Sequence, residues 1–299
     1  MFLLTSPIPG TLLMATQVEA TAVLIEGKAY IYRSYGIRIK MKRNREVKLS
    51  EGDMIKTKKN TEVSVNLPDG SSFLIEENSS WQYTSEKYRF HSLLLGVMKV
   101  VRTGNKIFKT VTPVVAAGVR GTQFTLAVAP EGSTYIAVEE GEVILKNPMG
   151  LEQNATGGQT LVVSSQHPEQ VQPSEIENPF IFYGKYRSLV KEDPESAIKR
   201  MNTLLEKLES AAEEAQNNTT KAMEVYPFLK SATLSYSEVL SSKIGKYLKL
   251  EREQYAQLLK KMQEIKLRQK LLERQIQQEM ENRIKEYQRR EKEIMKKYR

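Results

Sequence analysis

The sequence predicts an α+β protein whose two structure types are segregated: an all-β domain comes first and a long α-helical coiled-coil region follows. Gly and Pro mark turns, and 14 of the 16 Gly and nine of the 11 Pro lie in residues 1–180. Short alternating or β-branched runs fill that part, whereas apolar residues three and four apart fill the rest. We divide the chain into a leader (1–20), a β domain (21–165), a linker (166–192) and a helical region (193–299).

The leader has two interpretations. It holds two short apolar runs, no cation and one anion, and its small residues suit cleavage after Ala20 or Ala22. Because a secretory signal also needs a basic start, the first interpretation is a signal peptide that begins upstream of Met1. The protein would then be exported to the periplasm or cell envelope, which we favour. The second is an unstructured leader on a cytoplasmic protein. No other segment approaches the 18 apolar residues of a transmembrane helix.

Around thirteen short strands are predicted in the β domain, each bounded by Gly, Pro, Asn or Asp. Asp69-Gly70 is a strong hairpin signal, because Gly adopts positive φ in a tight turn. So many short strands favour a β-roll or solenoid-like coil, a sandwich or a barrel. The predicted strands are Ala22–Ile25, Ala29–Arg33, Gly36–Met41, Met54–Thr57, Glu62–Leu67, Ser72–Ile75, Ser80–Thr84, Leu93–Val101, Lys106–Thr110, Gln123–Ala129, Thr134–Val138, Glu142–Lys146 and Thr160–Val163.

Four stretches of the β domain, at 52–57, 65–71, 112–124 and 138–143, resemble the FecR domain family in the order that the family requires. The most specific run is Ala-Gly-Val-Arg-Gly-Thr-x-Phe, which precedes a Val-x-Glu-Gly-x-Val strand. The resemblance covers about residues 20–165. The motif residues, structural or partner-binding, are Gly52, Asp53, Thr57, Asp69, Gly70, Ser71, Gly118, Val119, Arg120, Gly121, Thr122, Phe124, Glu140 and Gly141.

The resemblance implies an all-β periplasmic or cell-envelope domain that binds other proteins and has no known catalytic chemistry. The founding members are membrane-spanning regulators that relay a signal from an outer-membrane transporter to a cytoplasmic sigma factor. This sequence departs from them, since it shows no transmembrane or cytoplasmic helical segment before the β domain and adds a long helical tail. It is more similar to the stand-alone exported members, so the sigma-factor role is not carried over.

The charged motif residues are interpreted as structural. Arg120 lies between two glycines, and its planar guanidinium suits a bidentate carboxylate, for which Glu140 and Asp53 are the candidates. We expect Arg120 to hold two strands together, with ligand binding as the alternative. Asp53 and Asp69 are typical turn residues, whose carboxylates accept local backbone N–H bonds.

Four aromatic residues cluster near one predicted strand: Trp81, Tyr83, Tyr88 and Phe90. We expect them to close one face of the core. The alternative is an exposed set that stacks on carbohydrate or on a partner protein.

The composition argues against an enzyme. The chain has no Cys and only two His, and neither His91 nor His167 has neighbouring ligands, so we expect both to be ordinary strand or loop residues. The chain therefore lacks the residues for thiolate sites and has too few His to favour a His-based zinc site or a Ser-His relay. We expect no catalytic residues, no metal and no cofactor.

The net charge of +9 is predicted to belong to the helical region. Residues 1–180 carry 19 Lys and Arg against 18 Asp and Glu, so the excess of cations lies beyond them. Within the β domain, the cluster Lys40, Lys42, Arg43 and Arg45 is interpreted as a solvated connection. A nucleic-acid partner is not expected, because no recognition element accompanies these charges.

The helical region begins with a cap signal, because Asp193-Pro194 suits an N-cap followed by the first helical turn. Asn217-Asn218 is expected to end this first helix, and a second region runs from Thr219 to the C-terminus, kinked or restarted at Pro227. Apolar residues at coiled-coil spacing follow in both parts. They are Ile198, Met201, Leu205, Leu208, Ala212 and Ala215, then Leu248, Tyr255, Leu258, Met262, Ile265, Leu272 and Ile276.

Such a stripe needs a partner helix in cis or in trans, and a homo-oligomer through the helical tail is the expectation. The basic run over 289–299 is interpreted as a solvated face, with an anionic lipid or envelope polymer as its alternative partner.

Three functions follow from these observations. The leading one is a non-enzymatic envelope protein whose β domain docks a protein or polymer and whose coiled coil oligomerises or acts as a spacer. The alternatives are a signal-transduction regulator that relays an envelope signal through the helices, and an intracellular coiled-coil scaffold.

Overall fold

The computed structural model describes residues 20–84, 90–102, 108–119, 122–248 and 252–297. Most of the predicted leader, together with Tyr88, Arg120 and Gly121, lies outside these residues.

The described chain has 17 strands, and all thirteen predicted strands are among them. The strands are β1 Thr21–Glu26, β2 Ala29–Tyr32, β3 Arg38–Lys40, β4 Glu46–Lys48, β5 Met54–Thr57, β6 Glu62–Asn66, β7 Ser72–Ile75, β8 Ser80–Gln82, β9 His91–Arg102, β10 Phe108–Val111, β11 Ala116–Val119, β12 Gln123–Val128, β13 Thr134–Glu140, β14 Glu142–Lys146, β15 Glu152–Thr156, β16 Thr160–Val163 and β17 Gln172–Pro173. The sequence missed β4, β11, β15 and β17.

The strands pair into two layers of nine that share β9. The first layer has the order β4-β1-β6-β7-β9-β12-β13-β16-β17. The second has the order β3-β2-β5-β8-β9-β10-β11-β14-β15. Every pair between these strands is antiparallel except β9–β10. Among the predicted architectures, the pairings therefore favour the sandwich.

The long strand β9 changes layers at Gly96. Its first residues pair with β8 and β10, and the residues from Gly96 onward pair with β7 and β12. Gly96 has φ +91°, and a Cβ there would lie 2.2 Å from Ser79 Oγ and 2.5 Å from Ser79 Cα. Only glycine fits this crossing, since both the backbone angle and the space exclude a side chain.

The start of β1 limits the cleavage sites that were predicted for the leader. Ala22 is fully buried in β1 and pairs with Val47 and Val65. Cleavage after Ala22 would cut the strand, whereas cleavage after Ala20 would leave it whole.

The helices are α1 Pro179–Glu192, α2 Pro194–Glu214, α3 Thr219–Ser241, α4 Gly245–Leu248 and α5 Arg252–Lys297. Each of the first three begins at a side chain that caps it, namely Asn178, Asp193 and Asn218. The predicted starts at Asp193 and after Asn218 are confirmed.

The predicted linker over 166–192 is wrong for its second half, because residues 179–192 form α1. Asn178-Pro179, which suggested an extended segment, is a helix start: Asn178 Oδ1 accepts the N–H groups of Phe180 and Ile181 at 2.8 and 3.2 Å. The predicted restart at Pro227 is also wrong. Helix α3 runs through this proline, and both neighbours of Pro227 are buried.

The apolar stripe of α5 finds its partners within the same chain. Leu258, Ile265 and Leu272 are almost fully buried, and α5 contacts both α2 and α3. Residues 281–293, by contrast, are exposed on every side. The packing in cis therefore removes the reason to expect an oligomer along most of the stripe. Among the helices that the structure describes, none is both long and apolar enough to cross a bilayer.

Two helices dock directly on the β domain. Phe182 of α1 packs on Tyr135 of β13 with ring centroids 5.5 Å apart, over the outer face of the first layer. Ser235 Oγ of α3 donates to the Leu94 carbonyl of β9 at 2.6 Å, and Tyr236 Oη donates to the Glu131 carbonyl at 3.0 Å. The helical region is thus joined to the sandwich by buried contacts.

Candidate interaction surface

The described motif residues lie in turns and at buried strand positions. Asp69 accepts the Ser71 N–H at 2.9 Å and the Ser71 hydroxyl at 3.0 Å, which confirms its predicted turn role. Gly70 and Gly141 have φ +87° and +83°, as their turns require. Glu140, next to Gly141, is exposed at the end of β13.

The remaining motif residues hold strands together. Thr57 Oγ1 donates to the Glu76 carbonyl at 2.5 Å and accepts the Ser79 N–H at 2.8 Å. Thr122 Oγ1 donates to the Glu142 carbonyl at 2.9 Å. Gly118 lies in β11, and the side chains of Val119 and Phe124 are buried. The motif therefore builds the sandwich, and its described members leave no group exposed for chemistry on a ligand except Glu140.

Asp53 has a partner that the sequence did not suggest. Its carboxylate is buried, accepts the Ser50 N–H at 2.7 Å as predicted for a turn residue, and forms an ion pair with Arg33. Arg33 Nη1 also donates to the Lys48 carbonyl at 3.0 Å. Arg33 thus engages one oxygen of the carboxylate that was a candidate partner of Arg120, and the Arg120 pairing stays a prediction. Arg120 itself lies outside the described residues.

The aromatic cluster belongs to the core, as predicted. Trp81, Tyr83 and Phe90 are all buried, and the Trp81 ring lies 5.1 Å from that of Phe73. His91 stacks on Tyr83 at 5.4 Å. Burial lowers the pKa of His91 to about 4, because the charged imidazolium cannot be solvated there.

A concentrated basic surface occupies one end of the sandwich. Strands β3 and β4 are outermost strands of the two layers on the same side, and the connection between them closes that end. Residues 28–48 contain eight Lys and Arg and one Glu. We call this segment the basic edge.

Seven of the eight cations of the basic edge are exposed, the exception being Arg33. Arg38, Lys40, Lys42 and Arg45 are exposed, and none has a carboxylate within 4 Å among the residues that the structure describes. Arg43 donates to the Ile25 carbonyl at 2.8 Å. The predicted cluster is exposed, as expected for a solvated connection. The segment also holds the highest local concentration of charge in the β domain.

The tip of the β2–β3 hairpin adds apolar groups to this surface. Tyr35 and Ile37 are 69% and 54% exposed on the two sides of Gly36. On the strands behind the tip, Arg38 lies 5.2 Å from the ring centroid of Tyr30. Aromatic, aliphatic and cationic side chains therefore share one edge of the domain.

The sequence pattern indicated the cations at 40–45 but not the full extent of the basic edge, because charge was summed over residues 1–180. Residues 28–48 were balanced by acids elsewhere in 1–180, so the sum was close to zero. A sliding window of about 20 residues would have found the segment.

A buried carboxyl lies where the β domain meets the helices. Glu131 is fully buried in the β12–β13 turn, next to Ser133. It interacts electrostatically with Arg200 of α2, Tyr186 of α1 and Tyr236 of α3. Burial raises the pKa of Glu131 to about 7, although Ser133 and Arg200 act in the opposite direction. Gly132 beside it leaves room for the helices, since a Cβ would lie 2.9 Å from Tyr236 Oη.

The described residues contain no group of three or more His, Asp or Glu that could hold a metal ion. Comparison with known proteins gives one family: residues 53–144 match the model described as FecR protein. No curated protein matches the chain. The matched segment begins at Asp53 and ends in β14, so it spans the centre of the sandwich. Residues 53–144 of this chain therefore form a FecR domain.

Proposed function

We propose that this protein is a non-enzymatic interaction module of the cell envelope, and that its β domain docks a partner through the basic edge. One observation carries the proposal: the edge exposes Tyr35, Ile37 and four cations that have no acidic partner among the described residues, whereas the motif residues are used inside the fold. The FecR match supports an envelope role, since the family is known for envelope regulators.

In this proposal the helical region braces the sandwich and extends away from it. Helices α1 and α3 pack on the β domain, and α5 packs on α2 and α3 before its last turns project into solvent. A spacer role needs no second copy of the chain. Self-association, if it occurs, would use the exposed residues 281–293, because the earlier part of the stripe is already covered.

The test is site-specific photo-cross-linking of the tagged full-length protein in its own cells. A photo-reactive residue replaces Ile37 at the basic edge or, as the control, Ile284 on the projecting helix, which is equally exposed at 56%. We expect cross-links from position 37 in an envelope fraction. Recovery in the cytosol alone, or cross-links from position 284 only, would contradict the proposal.

A second candidate function is relay of an envelope signal. It is favoured by the hydrogen bonds that tie α3 to the β domain at Leu94 and Glu131, because a shift of β9 or of the β12–β13 turn would reach α3 through them. Co-purification of a transporter or a sigma factor with the tagged protein would support the relay over the simple docking module.

A further inference from the structure

We infer that the basic edge docks on an anionic lipid bilayer, with the β2–β3 tip inserted among the lipids. The inference rests on the proposed function, because it names the partner of the same surface.

The tip has the form of an insertion element. Tyr35 and Ile37 stand in solvent, and a Cβ added at Gly36 between them would meet nothing within 4 Å, so the turn is clear of the rest of the protein. Tyrosine prefers the headgroup level of a bilayer, where its ring is apolar and its hydroxyl is hydrated, and isoleucine prefers the acyl boundary. One turn can therefore place Tyr35 at the headgroup level and Ile37 at the acyl boundary.

The cations behind the tip supply the second signal that stable membrane binding needs. Arg33 is engaged by Asp53, but Arg38, Lys40, Lys42 and Arg45 remain without carboxylate partners in the described part of the chain. Anionic headgroups attract such cations, and each contributes about a five-fold gain in binding near the surface.

A bilayer fits this surface better than a soluble polyanion does. A polysaccharide or nucleic acid would bind the cations and stack on several open aromatic faces. Tyr30 and Tyr32, however, already have Arg38 and Lys56 at 5.2 and 4.4 Å from their ring centroids, which leaves Tyr35 of this hairpin. A polyanion would also gain nothing from Ile37. Of these two kinds of partner, the bilayer alone uses the exposed isoleucine and the cations together.

The projecting end of α5 is a natural control, because it offers the same residue types. Ile284 and Tyr287 are 56% and 72% exposed, close to the values of Ile37 and Tyr35. Residues 281–299, however, hold eight Lys and Arg and four Glu, an excess of four cations against seven in the basic edge. Arg283 and Arg290 are bonded to Glu279 and Glu286 one turn away.

The experiment is co-sedimentation of the full chain with vesicles of phosphatidylglycerol and phosphatidylcholine, against phosphatidylcholine alone, at about 0.1 M salt. We expect binding only to the anionic vesicles. The Y35S/I37S variant should lower the partition coefficient at least ten-fold, whereas I284S/Y287S should change it less than two-fold. Both variants replace exposed side chains, and equal thermal midpoints will confirm that both are folded.

Insertion itself can be measured with a Y35W variant and brominated lipids. The native chain has one Trp, Trp81, which is buried in the core and is shielded from the lipid. Quenching of Y35W by the brominated lipid, without quenching of the native protein, supports insertion. Equal quenching in the two proteins would overturn it.

Three further results would overturn the inference: no binding to anionic vesicles, an equal loss in both double variants, or binding to soluble polyphosphate that is as strong as to vesicles. If vesicles are not bound while position 37 cross-links to a protein in cells, the bilayer is wrong and the proposed function stands. If position 37 also gives no cross-link, both fail.

Discussion

The basic edge and the projecting end of α5 are both exposed and both rich in Lys and Arg, yet they differ in how their charge is balanced. The edge has one Glu among eight cations, and several of those cations have no acidic partner in the described chain. On the projecting helix, Arg283, Arg289 and Arg290 each meet a Glu four residues away. Net charge therefore says less about a binding surface than the local pairing does.

The two regions also differ in what holds them in place. The edge is fixed by the buried Arg33–Asp53 pair and by strand pairing on both layers. In the end of α5 the described interactions are local, namely helical hydrogen bonds and ion pairs one turn apart, and residues 281–293 are exposed. A rigid surface with a local excess of positive charge is suited to binding a partner. An exposed helix whose charges are largely paired is suited to act as a spacer.

The largest expected effect comes from breaking the support of the basic edge. The D53N variant leaves the Arg33 charge largely buried without its partner, and we expect a loss of about 3 kcal/mol in the free energy of unfolding. Urea denaturation measures it. On the projecting helix, E286Q breaks the exposed Arg290 pair and should cost at most about 0.5 kcal/mol. Equal losses would remove the contrast between the regions.

The next largest effect on stability is expected at Glu131, where the β domain meets the helices. Glu131 binds a proton in the folded state up to about pH 7, whereas an exposed Glu loses it near pH 4.5. Stability should therefore fall as the pH rises between these values and stay low above pH 7. E131Q should remove this fall and stabilise the protein at pH 8 by roughly 3 kcal/mol, at 1.36 kcal/mol for each pKa unit.

Thermal melts of the native chain and E131Q from pH 4 to 8 test this expectation. His91 acts in the opposite sense, because its neutral folded form loses stability as the pH falls from about 6.5 towards 4. This term is common to both proteins and cancels in their difference. A difference that does not grow with pH would contradict the account of Glu131.

The smallest effect is expected from the end of α5. A chain that stops before Glu281 loses only exposed residues up to 293, so its free energy of unfolding should change by less than about 0.5 kcal/mol. Chemical denaturation of the shortened and full chains gives the comparison. A loss of more than about 1 kcal/mol in the free energy of unfolding would show that this end packs on the protein. That result would contradict the spacer role.

The local β pattern was readable from the sequence, because turn residues bound alternating strands. The bounds of β5, β7, β14 and β16 agree with the prediction. Strand β11 was missed since its Ala-Ala-Gly-Val run lacks the β-branched signal, and β4 and β15 were missed because they are short polar edge strands.

The candidate surface was harder to predict, for physical reasons. That β3 and β4 are both outermost strands depends on long-range pairing, which no local pattern encodes. The Arg33–Asp53 pair has the same origin, as its members lie 20 residues apart. The sequence did predict that the α5 stripe needs a partner, but it could not choose between another copy and α2 with α3.

The most direct test of the central claim compares two charge reversals of equal size. K40E/K42E acts on the basic edge and K285E/K292E on the projecting helix, so both change the net charge by the same amount. On phosphatidylglycerol vesicles we predict that K40E/K42E lowers the partition coefficient at least 25-fold, while K285E/K292E changes it only a few-fold. A larger loss in K285E/K292E, or an equal loss in both, would contradict the claim that the unpaired charge of the β domain forms the binding surface.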